Sequence, residues 1–350
     1  MIKVLIVDDS AVAREFLSQL IGTTAGMSVV GTAVDGVEAI EATERLKPDL
    51  ITMDIIMPRM GGPEAIEQIM QTNPTPIVVV TGNTITEEVR ATFRSLESGA
   101  LAIVARPYGA DSVDHEESSR RLIETIRLMS EVRVVRRWSR AVRRERSPRL
   151  RTVGEPKTIR VVAIGASTGG PTILKRIVSA LPKDFPVPIL IVQHIAAGFV
   201  EGFSTWLGDA CHLTVRIARK GERLRAGHVY VAPDGEHLGV DMSECSTLTP
   251  EPVARALCPS VTHLFQSVAR VYRSQAIGVL LTGMGRDGAD GLLMLKQFGS
   301  LTIAQDKESS VVHGMPGEAI KLGAADMVLA PARMAEVLIN YAMPLGASPS

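Results

Sequence analysis

The sequence predicts two α/β domains in tandem, each built on a mainly parallel sheet, and three observations point to them. Short apolar runs of β-forming residues alternate with amphipathic stretches of helical period through residues 1–122, and again through 158–342. Between them the pattern dissolves: residues 131–151 hold nine arginines against two glutamates. The length, 350 residues, is about twice that of a typical domain. The expected division is a first domain at 1–122, a basic linker at 123–157, a second domain at 158–342 and a flexible tail at 343–350.

In the first domain, strands are expected at residues 3–7, 29–33, 50–53, 77–80 and 101–105. Helical stretches such as 11–21 and 37–45 lie between them, and five strands so separated make a doubly wound parallel sheet. Gly154 and Pro156 mark the entry to the second domain. Its strands are expected at 159–164, 188–193, 229–232, 276–281, 301–304 and 327–329. Several are continuous apolar runs, as in sheets covered by helices on both faces. Residues 221–249 read instead as hairpins and loops.

Composition narrows the class. Apolar residues make up 45% of the chain but aromatic ones only 4%, so the cores must rest on Val, Ile, Leu, Ala and Met. Zero net charge argues against a whole-molecule preference for nucleic acid or acidic membrane. The arginine-rich stretch reads as a solvated linker; with only Trp138 for stacking, a nucleic-acid-binding arm is the weaker reading. Cys211, Cys245 and Cys258 lie far apart with no metal spacing, which suggests reduced thiols. The N-terminal MIKVLIVDDS enters a strand at once, and no apolar run approaches the ~20 residues of a membrane span. A cytoplasmic protein is expected.

Acids gather at strand ends in the first domain. Asp8 and Asp9 follow the first strand and Asp54 the third, where a doubly wound sheet forms its crevice. Three carboxylates there call for a cation, and Mg²⁺ suits them. Helix or turn capping would account for each acid singly. It fits poorly once Thr81 after the fourth strand and Arg106–Pro107 after the fifth are added.

The segments VDDS, MDIIMPRMGG, VVTG and the basic residue before Pro107 resemble the receiver domains of bacterial response regulators. The resemblance implies a flavodoxin-like fold, phosphorylation at Asp54, Mg²⁺ held with Asp8 and Asp9, and a switch through Thr81 and Arg106. The chain departs from that pattern at Arg106, where receivers carry lysine, and at Gly61, where an acid is common.

In the second domain, VVAIGASTGGP puts Ser167 inside G-x-S-x-G between a strand and a helix, with Pro171 suited to the first helical turn. The helix N-terminus offers N–H groups and positive potential, so Ser167 fits either a nucleophile or a phosphate-binding loop. A nucleophile needs a base and an orienting acid. His194 directly follows an apolar strand, whereas His228, His237 and His263 lie in polar or loop-rich surroundings and look less constrained. Asp287 follows a strand through LTGMGRDG, with Asp290 a weaker rival one turn further on. Gly283, Gly285 and Gly288 also spell G-x-G-x-x-G, with Asp306 18 residues beyond. Taken alone, that run favours a dinucleotide site and a receiver-gated oxidoreductase.

IGASTGGP, VQHIAAGF, APDGEHL, CPSVTHLFQSVA, LTGMGRDGADG and VVHGMPGEAI resemble the catalytic domain of the CheB-type protein-glutamate methylesterases. That resemblance implies a triad of Ser167, His194 and Asp287, an oxyanion hole that includes the Met284 N–H, and Thr168 beside the nucleophile. It implies no cofactor for the ester chemistry. The substrates implied are methyl-accepting chemotaxis receptors, deamidation of receptor glutamines is a second reaction, and a chemotaxis-type histidine kinase is the phosphoryl donor. Until Asp54 is phosphorylated, the receiver is expected to restrain the esterase. Cys258 and Thr262 depart from the arginine and aspartate usual in the family.

Overall fold

A computed structural model describes residues 1–82, 86–107, 115–132, 134, 158–250 and 257–343. Most of the arginine-rich stretch and the tail beyond 343 lie outside the described residues. The chain forms two compact units, Met1–Arg146 and Ser147–Ser350. No helix among the described residues is long and apolar enough to cross a membrane.

The first unit runs β1 (Ile2–Val7), α1 (Ala11–Gly22), β2 (Met27–Ala33), α2 (Gly36–Leu46) and β3 (Leu50–Met53). It continues with α3 (Gly62–Thr72), β4 (Ile77–Thr81), α4 (Thr86–Ser98), β5 (Ala102–Ala105) and α5 (His115–Ser130). The strands pair in parallel in the order β2-β1-β3-β4-β5. From β1 the chain winds outward to one side and then, from β3, to the other. The ends of β1 and β3 therefore flank the switch point, where a crevice opens. Helices cover the sheet, so Val4–Val7 and Leu50–Met53 are buried runs without alternation.

The second unit runs β6 (Val161–Ala166), α6 (Gly170–Val178), β7 (Ile189–Gln193), α7 (Val200–Asp209), β8 (Thr214–Ile217) and β9 (His228–Val231). An antiparallel hairpin follows, β10 (Glu236–Val240) and β11 (Ser246–Pro250), then α8 (Val261–Tyr272) and β12 (Ala276–Leu280). The chain ends with α9 (Ala289–Gln297), β13 (Leu301–Gln305), α10 (Met315–Lys321), β14 (Met327–Leu329) and α11 (Pro331–Ala342). Seven strands pair in parallel in the order β14-β13-β12-β6-β7-β9-β8. The hairpin expected near 221–249 is β10–β11. It stands apart from the sheet and packs Leu238 and Val240 with Leu264, Phe265 and Val268 of α8.

Strand β8 escapes the sequence reading. It is a four-residue edge strand, TVRI, whose side chains alternate between exposed and half-buried, so it lacks the apolar run of a central strand. The strands that matter for the site are β12, β6 and β7, neighbours at the middle of the sheet.

Candidate functional site

Ser167 follows β6, His194 follows β7 and Asp287 lies in the turn after β12. Because these strands are parallel neighbours, their carboxyl ends open on one rim. There His194 Nε2 meets Asp287 Oδ2 at 3.0 Å. No hydrogen bond joins Ser167 to His194 among the described residues; with Nε2 committed to the acid, Nδ1 is the nitrogen left for a hydroxyl. Catalytic hydrogen bonds are often loose before substrate arrives.

The elbow around Ser167 rests on two glycines with different tasks. Gly169 caps α6 with φ +76°, a conformation that L residues with side chains avoid. Gly165 instead provides space: a Cβ there would lie 2.1 Å from the Val261 side chain. The start of α8 thus packs directly beneath the elbow. Gln193, the last residue of β7, ties the two loops together: its Nε2 donates to the carbonyls of both Ser167 and His194 at 2.8 Å. Gln193 has no chemistry of its own and passes for a polar strand end in the sequence.

Asp287 is the most heavily bonded side chain on this rim. Besides His194, its carboxylate accepts from the Ser260 hydroxyl at 3.0 Å and from the N–H groups of Val261, Thr262 and Gly288 at 2.7, 3.0 and 2.9 Å. Burial alone would push its pKa up, but the hydrogen bonds and charge of His194 and the bonds from Thr262 outweigh it. The carboxyl is held well below the usual range. Thr262 also accepts the Gly288 N–H through its hydroxyl at 2.8 Å. The donors from Ser260, Val261 and Thr262 belong to the cap and first turn of α8, a capping role for Ser260 that PSVTH could have signalled, whereas Gly288 caps α9. The rival acid Asp290 instead pairs with Arg286 at 2.7 Å on the exposed face of α9.

Met284 sits on the rim, 41% exposed. Among the described residues, no protein group accepts from the backbone N–H of Met284 or of Thr168. Both are thereby left to an incoming oxygen. Gly283 abuts Ser167, since a Cβ on it would come within 2.6 Å of the serine Cβ. The dinucleotide reading of this glycine run is not supported. Asp306, which should reach a ribose, is bound to its own turn through the Ser309 N–H at 3.0 Å and the Ser309 hydroxyl. The glycines serve instead to carry Asp287 to His194. The sequence reading also errs at His237, which is buried in β10 and accepts the Ser260 N–H.

In the first unit, Asp8, Asp9 and Asp54 converge with ligand oxygens all within 4.8 Å of one another. The helix cap of α1 is Ser10, which accepts from Ala13. Asp8 and Asp54 each accept a local N–H, from Ser10 and Ile55; such local bonds do not by themselves account for three carboxyls meeting. Burial, followed by the Asp8 charge, pushes the Asp54 carboxyl up to about 7. Asp8 is raised too, chiefly by burial, against the pull of Arg106. The Arg106 guanidinium lies 2.7 Å from Asp8 and 3.5 Å from Asp54. Its backbone N–H donates to the carbonyl of buried Thr81 at 2.9 Å, which joins the ends of β4 and β5 beside the acids. Three carboxyls with so little compensating charge fit a hard divalent cation.

Residues 162–338 match the family model for CheB methylesterase, and residues 4–116 match that for the response regulator receiver domain. A protein of Nitrosospira multiformis named protein-glutamate methylesterase/protein-glutamine glutaminase is 52% identical over 345 residues, 97% of either chain. One from Syntrophus aciditrophicus with the same name, numbered 1, is 51% identical over 348 residues, 98% of this chain and 99% of the relative. Among solved structures, the Thermotoga maritima CheB methylesterase catalytic domain is 40% identical with a TM-score of 0.51, covering 52% of this chain and 98% of that one.

Proposed function

The chain belongs to the CheB methylesterase family, and from that premise we propose that it removes methyl esters from glutamate side chains of methyl-accepting chemotaxis receptors under control of its receiver. What carries this reading is the His194–Asp287 pair at 3.0 Å on the rim that also presents Ser167. The names of its near-full-length relatives supply the substrate bond.

In this mechanism Ser167 Oγ attacks the γ-carbonyl carbon of the ester as its proton passes to His194 Nδ1. Asp287, bonded to Nε2–H, fixes the tautomer and stabilises the imidazolium. The N–H groups of Met284 and Thr168 receive the oxyanion, each contributing ~3 kcal/mol to the transition state. Collapse breaks the bond to methoxide, which takes the proton from His194 and leaves as methanol. Water, deprotonated by His194, then hydrolyses the acyl-enzyme to free glutamate and Ser167. A receptor glutamine presents the same carbonyl with ammonia as leaving group, so the same residues deamidate it.

In the receiver, Asp54 accepts a phosphoryl group from a chemotaxis-type histidine kinase. Asp8, Asp9 and Asp54 would hold Mg²⁺, which when bound neutralises phosphoryl charge. Arg106 lies within reach of the same oxygens, and Thr81 reports the change at the end of β4. The decisive experiment measures methanol released from methylated receptor. Ser167→Ala should abolish release, whereas Asp54→Asn should keep the basal rate and lose stimulation by a phosphodonor. Unchanged release from Ser167→Ala would end the esterase reading.

A further inference from the structure

The hairpin strand β10 stands outside the seven-stranded sheet, yet its His237 reaches the segment that holds Asp287. The side chain is buried, and its Nδ1 accepts the Ser260 backbone N–H at 3.1 Å. The ring proton therefore sits on Nε2. The ring stacks on His263 of α8, with centroids 4.9 Å apart and 18° between the planes. Ser260 passes the constraint on: its hydroxyl donates to Asp287 Oδ1 at 3.0 Å and accepts from the His263 N–H at 3.3 Å. The next two N–H groups, of Val261 and Thr262, add to the hold on the carboxylate.

We propose that His237 is a positioning residue for the ester reaction, acting through Ser260 to fix Asp287 against His194; this rests on the esterase reading above. The physical reason lies in the turn itself. Ser260 is extended (φ −105°, ψ 130°) where the helix begins, so its backbone N–H falls outside the helical ladder and needs an acceptor of its own. A ring nitrogen from a separate hairpin supplies one and sets the angle at which the Ser260 hydroxyl and the two following N–H groups converge. Displacement of a catalytic group by about 1 Å can cost ~100-fold in rate, so a support at this distance is felt in kcat. His263 contributes the packing surface on which the His237 ring lies flat.

The test compares two near-isosteric replacements in the full chain. Both His237→Leu and His237→Asn lose the ring stack, but only asparagine offers an oxygen close to the place of Nδ1. Methanol release from methylated receptor should show kcat down roughly tenfold with KM unchanged for leucine, and within about threefold of wild type for asparagine. In an Asp287→Ala background, His237→Leu should have no further effect, because the residue it acts through is gone. The downfield proton of the His194 ring N–H, identified by its loss in Asp287→Ala, should persist in His237→Asn and broaden or vanish in His237→Leu. Should the leucine variant fail to fold, His237→Phe keeps a ring against His263 but offers the Ser260 N–H no acceptor, and should give the same loss of kcat and of the proton signal.

Equal kcat for leucine and asparagine, or a leucine effect that survives in the Asp287→Ala background, would overturn the proposal. A wild-type chain that releases no methanol would sink the esterase reading instead. The His194 proton signal would still decide whether His237 orders the pair.

Discussion

Asp54 and Asp287 occupy matching places in the two units. Each follows a strand of a parallel sheet, and their side chains are almost equally buried, 12% and 15% exposed. Yet their carboxyls are pushed in opposite directions. At Asp54, burial and the neighbouring Asp8 raise the pKa to about 7, against one backbone N–H from Ile55 and a guanidinium 3.5 Å away. At Asp287, burial acts the same way but is overcome by His194 and by the side-chain and backbone bonds of Thr262, on a carboxylate that also accepts from the Ser260 hydroxyl and the Val261 and Gly288 N–H groups. Burial therefore does not decide the state of a carboxyl; the donors aimed at it do. One site is left short of positive charge, as the proposed cation and phosphoryl group require. The other is a carboxyl held ionised down to low pH that bonds an imidazole.

The largest effect should come from removing that anion. Asp287→Asn keeps the shape but presents an amide to His194, and kcat for methanol release should fall about 10³- to 10⁴-fold. A loss under about tenfold would mean that Asp287 does not orient the base.

The contrast in pKa sets the next test. For Asp54 the folded value lies above the ordinary 3.8, so the folded state binds the extra proton and the receiver loses stability as pH rises from about 4 to about 7. Asp54→Asn should thus stabilise the receiver unit by about 2–4 kcal/mol near pH 8 and by little near pH 4, read from its unfolding transition in the full chain. Added Mg²⁺ should raise the wild-type transition near pH 8 more than that of the variant. Asp287 runs the other way: its contribution is present above the ordinary 3.8 and is lost as pH falls below it. Acid below about pH 4 should therefore weaken the catalytic unit first, and Asp287→Asn should remove that dependence. If both units lost stability over the same pH window, the contrast would fail.

The smallest effect concerns Arg106, which is part-exposed and shares its charge between Asp8 and Asp54. Arg106→Met should destabilise the receiver by about 1 kcal/mol near pH 8 and by less near pH 4, where the acids carry more protons. An equal loss at both pH values would assign the effect to packing of the arginine stem.

Much of this was legible in the chain. VDDS and MDIIMP placed the receiver acids, and VVTG placed Thr81 near them, because in a parallel sheet a strand end fixes where the next residue emerges. The same logic carried Ser167, His194 and Asp287 to one rim. Gln193, Ser260 and the N–H groups of Val261 and Thr262 were not legible as functional. They act through backbone groups or through partners 25 and more residues away, and no side-chain pattern marks such a role. His237 was misjudged for a related reason: its short polar surroundings in sequence conceal a buried place against α8.

Local residue order by itself determined the two α/β units, the strand ends and the residue types that reach them, since apolar period and glycine placement are written locally. Only the tertiary structure decided the electrostatic state of each acid. That state depends on which donors from distant elements converge on it, and convergence is a property of packing: Val261 fits against Gly165 and Gly288, so α8 can direct its first turn at Asp287.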